Sequence, residues 1–195
     1  MGVFCLIEKS YSVGMNDLVK LAADITKKRG LTLILNQDRA RQNKTSLIAR
    51  LILNGPLLVV SGDEWLPDFA LSRIVYKQTI QIKEVLKHLR TVRASTSFRL
   101  WDSLASIQPK GEPILVLEFL HTFYDANIPL YTRLFRLRES CRELARLAFY
   151  RPVIVMTRIM ESEDYEKFIP ALSPIANQTF TLETEVEQIK QPVLF

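Results

Sequence analysis

Lys44 and Thr45 are the residues of this sequence best placed to do chemistry on a phosphate. They close a polar stretch, Asn36 to Asn43, that follows the apolar run Leu31-Thr32-Leu33-Ile34-Leu35. An ammonium and a hydroxyl near a helix start can hold phosphate, because the first helical turn also offers unpaired N–H groups and the positive end of a dipole. Arg39 and Arg41 add two cations to the same stretch. Carboxylates stand at the ends of two further apolar runs. Asp63 and Glu64 follow Leu57-Leu58-Val59-Val60, and Glu118 lies in Ile114 to Leu120. Such carboxylates either orient water or a metal ion or simply sit near helix N-termini.

Other chemistries have little to work with. His88 and His121 are the only histidines, which excludes a His-rich metal site, and no local motif joins either to a Ser and an Asp. Cys5 and Cys141 are the only cysteines, too far apart for metal-ligand spacing, and read as reduced, partly buried thiols. The net charge of +5 is compatible with nucleic acid without demanding it. No run of about 18 apolar residues occurs, and Met1 to Ile7 is too short for a signal segment. The expectation is a cytoplasmic protein, or a nuclear one in a eukaryote, with no membrane partner.

The elements that must position these residues alternate between buried strands and helical patterns. Length, with 48% hydrophobic and 24% charged residues, fits one domain over 1–195. The four continuous apolar runs, Leu31–Leu35, Leu57–Val60, Ile114–Leu120 and Val153–Met156, predict central strands of a mainly parallel sheet. Thr91 to Ala94 is a further short strand and Gln178 to Glu183 a final edge strand. Val3 to Ile7 is a candidate edge strand that a homodimer or another partner would cover. Helices are expected around Leu18 to Ile25, around Leu47 to Ile52 with Gly55 closing it, after Pro67, around Ile82 to Leu89, around Phe98 to Ala105, and over 130–149. The inner face of the helix after Pro67 is Ala70, Leu71, Ile74 and Val75. The fold class is therefore α/β, a three-layer αβα arrangement. Residues 1–30 form an N-terminal extension, 31–183 the core, and 184–195 a tail.

A buried strand, a polar loop and then Lys-Thr-Ser at a helix start is the order of a phosphate-binding loop, G-x-x-x-x-G-K-[ST]. The corresponding stretch is Asp38-Arg39-Ala40-Arg41-Gln42-Asn43-Lys44-Thr45, with Asp38 and Asn43 at the two glycine positions. Arg90 to Leu104 and the acidic strand ending at Glu118 follow in an order that resembles the RecA/RadA-type ATPase core. The resemblance covers roughly 31–183. It implies a RecA-like sheet, with Glu118 at the Walker B position and Asp63 or Glu64 at the place of the catalytic glutamate. It further implies that Lys44 and Thr45 are the remnant of the nucleotide site.

The departures matter physically. Glycine permits positive φ and close backbone approach; Asn43 tolerates left-handed φ, but Asp38 sets a carboxylate beside the triphosphate. The expected function is a non-hydrolysing RecA-like accessory protein, a nucleic-acid-binding or scaffolding subunit in DNA recombination or repair. A weak ATPase using Lys44, Thr45, Glu64 and Glu118 with ATP and Mg is one alternative. A structural RecA-fold subunit of an RNA-modification assembly is another. No cofactor is expected otherwise, and the expected partners are a second copy, a paralogous RecA-like protein or DNA. The nucleic-acid surface is placed at the C-terminal edge of the sheet, with Arg39, Arg41, Lys44 and Arg158 on phosphates and Tyr124 and Phe123 as stacking platforms. Arg138, Arg142 and Arg146 form a helical stripe beside Glu139 and Glu143, which reads first as a solvated face of local ion pairs.

Overall fold

The computed structural model describes residues 10–13, 18–36, 41–62, 68–160 and 162–182. Among these residues seven strands form one sheet: β1 (Ser10–Val13), β2 (Gly30–Asn36), β3 (Leu57–Ser61), β4 (Leu89–Arg93), β5 (Ile114–Leu117), β6 (Pro152–Arg158) and β7 (Gln178–Leu182). Their order is β1-β7-β2-β6-β5-β3-β4, and every neighbouring pair is parallel. The continuous apolar runs become β2, β3, β5 and β6, because strands covered on both faces have no polar side to show.

Helices α1 (Leu18–Ile25), α2 (Arg41–Leu53), α3 (Asp68–Tyr76) and α4 (Ile82–Lys87) cover one face, where Ala22, Ile48, Leu71 and Val85 share a core with Ile34, Val59, Leu115 and Ile154. Helices α5 (Ser97–Ser106), α6 (Leu130–Tyr150) and α7 (Glu163–Leu172) cover the other, with Leu100, Leu144 and Phe168 against Leu33, Val60, Val116 and Val155. The result is a three-layer α/β fold. No helix among the described residues is long and apolar enough to cross a membrane.

Several expectations need correction. Strand β5 stops at Leu117 rather than Leu120, because Glu118 turns into the left-handed region (φ 50°, ψ 43°) and Phe119–Phe123 forms a short 3-10 helix. Strand β7 is interior, between β1 and β2, so the sheet edges among the described residues are β1 and β4. Leu89 opens β4 instead of closing α4. Ala70 is exposed, while Leu71 and Val75 carry the inner face of α3. Helix α7 was not anticipated at all. The segment Val3–Ile7 lies outside the described residues.

Candidate functional site

The chain leaves β2 for α2 on one face of the sheet and leaves the neighbouring β6 for α7 on the other. That reversal makes the C-terminal ends of β2 and β6 a topological switch point, the place where open α/β folds put their ligands. Asn36 ends β2 and is the register partner of Arg158, which ends β6. Side chains alternate along a strand. Asn36 therefore shares the face of Ile34, and Arg158 the face of Ile154 and Met156, which is the side of α2. Ser61 ends β3 on the same side by the same parity, two residues beyond Val59.

Helix α2 brings Lys44 and Thr45 to this edge, both buried. The Lys44 ammonium lies 2.9 Å from Glu118 Oε1, and Arg158 Nε lies 3.7 Å from Glu118 Oε2. Glu118 is only 3% exposed, so one desolvated carboxylate sits between two cations. Three of the charged residues singled out from sequence thus converge, although 74 residues separate Lys44 from Glu118. Removing a single partner from such a buried pair strands the other charge.

The Glu118 backbone is itself unusual. It is the one non-glycine with positive φ among the described residues, a conformation that is uncommon for a glutamate and sparsely populated. The turn ends the strand and starts the 3-10 helix. Beside it, the Gly62 amide donates to the Leu117 carbonyl at 3.0 Å, tying the end of β3 to the end of β5. Asn36 completes the edge: its carbonyl accepts from Ile159 N at 2.9 Å, while its side-chain Oδ1 is buried without a hydrogen-bond partner.

The start of α2 departs from the expected loop. Helical structure begins at Arg41, so Asn43 is already in a helix and has no need of left-handed backbone. Only positions 37–40 separate β2 from α2. Asp38, Arg39, Asp63 and Glu64 lie outside the described residues, as do the side chains of Arg41 and Asn43.

The proposed stacking platforms are placed differently from the expectation. Phe123 is fully interior, packed against Phe119 and Phe168, and offers no ring face to a base. Tyr124 is half-buried with its ring 5.5 Å from Phe168 and its hydroxyl buried without a partner. Burial, and then the Tyr165 and Asp164 charges, raise that phenol well above its ordinary range. His121, by contrast, is exposed. Two arginines of the expected α6 stripe make local ion pairs, Arg142 with Glu139 and Arg146 with Glu143 at 2.6 Å, while Arg138 has no carboxylate partner among the described residues. Arg146 also caps α5 through the Leu104 carbonyl at 3.2 Å.

Among the described residues no group of three or more His, Cys, Asp or Glu side chains converges to hold a metal ion. Asn36 and Ser61 were missed from sequence, although the period-two parity of their strands was available to find them. No family model matches the chain, and no curated protein matches its sequence.

Proposed function

We propose that this chain is a non-hydrolysing RecA-like accessory protein, a binding or scaffolding subunit in DNA recombination or repair. The carrying observation is the buried contact of Lys44 with Glu118. A phosphate-loop lysine acts by placing a free ammonium on the β- and γ-phosphates, and a Walker B carboxylate acts through a metal ion. Here each neutralises the other inside the protein. Engaging a triphosphate requires that buried pair to open, with Arg158 left as the second cation on Glu118. The helical start at Arg41 supports the same reading, since it shortens the loop that would wrap a phosphate.

Steady-state hydrolysis of Mg-ATP, measured beside calorimetric ATP titration, tests this. Turnover at background is the expected result. Turnover that disappears in Lys44→Ala overturns the proposal in favour of a weak ATPase, the second reading that the convergence of Lys44, Thr45 and Glu118 supports.

A further inference from the structure

A cluster of aromatic side chains surrounds a guanidinium where α5 packs on α6. The Arg136 guanidinium carbon lies 3.9 Å from the centroid of the Phe98 ring, 5.8 Å from Trp101 and 5.9 Å from Phe135. A guanidinium at such distances is attracted to the ring faces. They are nevertheless open to solvent: Phe98 is 51% and Phe135 56% exposed, and Tyr131, one turn earlier on α6, is 77% exposed. Three residues separate β4 from α5, and α6 follows β5 through the 3-10 helix Phe119–Phe123; the N-terminal halves of both helices carry this surface.

The charge here is not compensated locally. Helix α6 carries Arg133, Arg136, Arg138, Arg142 and Arg146 against Glu139 and Glu143. Both glutamates are taken by Arg142 and Arg146, and Arg133 pairs with Asp164. Arg136 and Arg138 remain without a carboxylate partner among the described residues, and the Nε of Arg136 is buried without a hydrogen-bond partner. Arg99 adds an exposed cation beside Phe98, with Asp102 the one acid nearby on α5.

Rings and cations therefore alternate: Phe98 with Arg99, and Phe135 with Arg136 and Arg138. The complementary polymer has flat apolar groups alternating with negative charges. An acidic protein segment matches the charge but not the ring faces. We propose that this α5–α6 surface binds single-stranded DNA, with bases stacked on Phe98, Tyr131 and Phe135 and phosphates held by Arg99, Arg136 and Arg138. The choice of DNA rests on the accessory reading above; the surface itself does not involve Lys44 or Glu118.

The test is fluorescence anisotropy of labelled oligo-dT of about 20 nucleotides at low salt, with oligo-U and a duplex of the same length as further arms. Phe98→Ala and Phe135→Ala should each weaken oligo-dT binding by roughly fivefold to a hundredfold. Phe149→Ala should not, being an exposed ring on the same helix about 20 Å away. Trp101 emission in the unmodified chain should be quenched by oligo-dT, and that change should vanish in Trp101→Phe. Four results overturn the proposal: no binding at low salt, equal affinity for all variants, a clear preference for duplex or oligo-U, or ring variants that change only the mass seen by light scattering. Failure of oligonucleotide binding leaves the ATP measurements untouched, so the two proposals fail separately.

Discussion

Gly62 and Glu118 approach so closely that a β-carbon at position 62 would lie 2.7 Å from the Glu118 carbonyl oxygen. The obstacle is backbone, and the neighbouring Thr122 methyl at 3.1 Å leaves no room to yield sideways. Glycine at the end of β3 is therefore what lets β5 turn into its left-handed residue. Gly62→Ala should cost about 1–3 kcal/mol, the usual toll of forced overpacking, read as a lower thermal midpoint. An unchanged midpoint would show that the turn at Glu118 relaxes freely.

The Lys44–Glu118 pair predicts a non-additive cycle. Glu118→Ala should destabilise by about 3–5 kcal/mol, because it takes the carboxylate from a buried ammonium, while Lys44→Ala should cost less, since Arg158 still faces Glu118. The double variant, Lys44→Ala with Glu118→Ala, should cost clearly less than the sum of the two single losses. Chemical denaturation of the four proteins measures the coupling. Additive losses would mean that the two charges are solvated independently.

Arg151 should resist conservative replacement. Its Nε donates to the Pro109 carbonyl at 2.8 Å, and its Nη1 to the Glu112 carbonyl at 2.9 Å. Its Nη2 donates to the Gln108 carbonyl, so one fork holds the whole turn before β5. A lysine cannot reproduce three fixed donors in that plane. Arg151→Lys should lose about 2 kcal/mol or more, since bonds from charged donors are worth about 1.5–3 kcal/mol each. Proteolysis at the Gln108–Glu112 turn should quicken in the variant.

Stability should fall in alkali. Burial pushes the Cys141 thiol from an ordinary 9.0 up to about 12, and the Tyr165 phenol from 10.0 up to about 12. Both are neutral when folded, whereas the unfolded chain releases their protons sooner. The Cys141 contribution is complete below pH 9 and lost as pH rises from 9 toward 12, and the Tyr165 contribution is complete below pH 10 and lost from 10 toward 12, each by about 1.4 kcal/mol per pH unit. Cys141→Ala should flatten the profile from pH 9 upward, and Tyr165→Phe from pH 10 upward. A profile unaffected by either change would refute the assignment.

The central strands were legible because a sheet covered on both faces demands uninterrupted apolar runs, as Leu57–Val60 and Val153–Met156 show. Helix α7 was overlooked although its start is written in the chain. Ser162 caps it by accepting from Tyr165 N at 3.2 Å, and Glu163, Asp164 and Glu166 fill its first turn. Pro170 within the helix masked that signal. Strand β1 was hidden by the polarity of Ser10-Tyr11-Ser12, which carries no apolar run. At the site, Lys44, Glu118 and Arg158 were named from sequence, but their mutual pairing depends on strand order. Local pattern does not encode that order. The burial of Phe123 was invisible for the same reason: an aromatic after a strand reads alike whether α7 covers it or not.

The sheet order also dictates a schedule for synthesis. Of the described strands β1 comes earliest in the chain, yet its ladder partner β7 comes latest and slots between β1 and β2. On a ribosome, the strands from β2 to β6 can assemble while Ser10–Val13 still waits without a neighbour. That wait ends only after Leu182 has emerged. Ser10–Val13 is thus the last of the described strands to take its place, and a nascent chain stalled before β7 leaves β1 without its ladder partner and one side of β2 open.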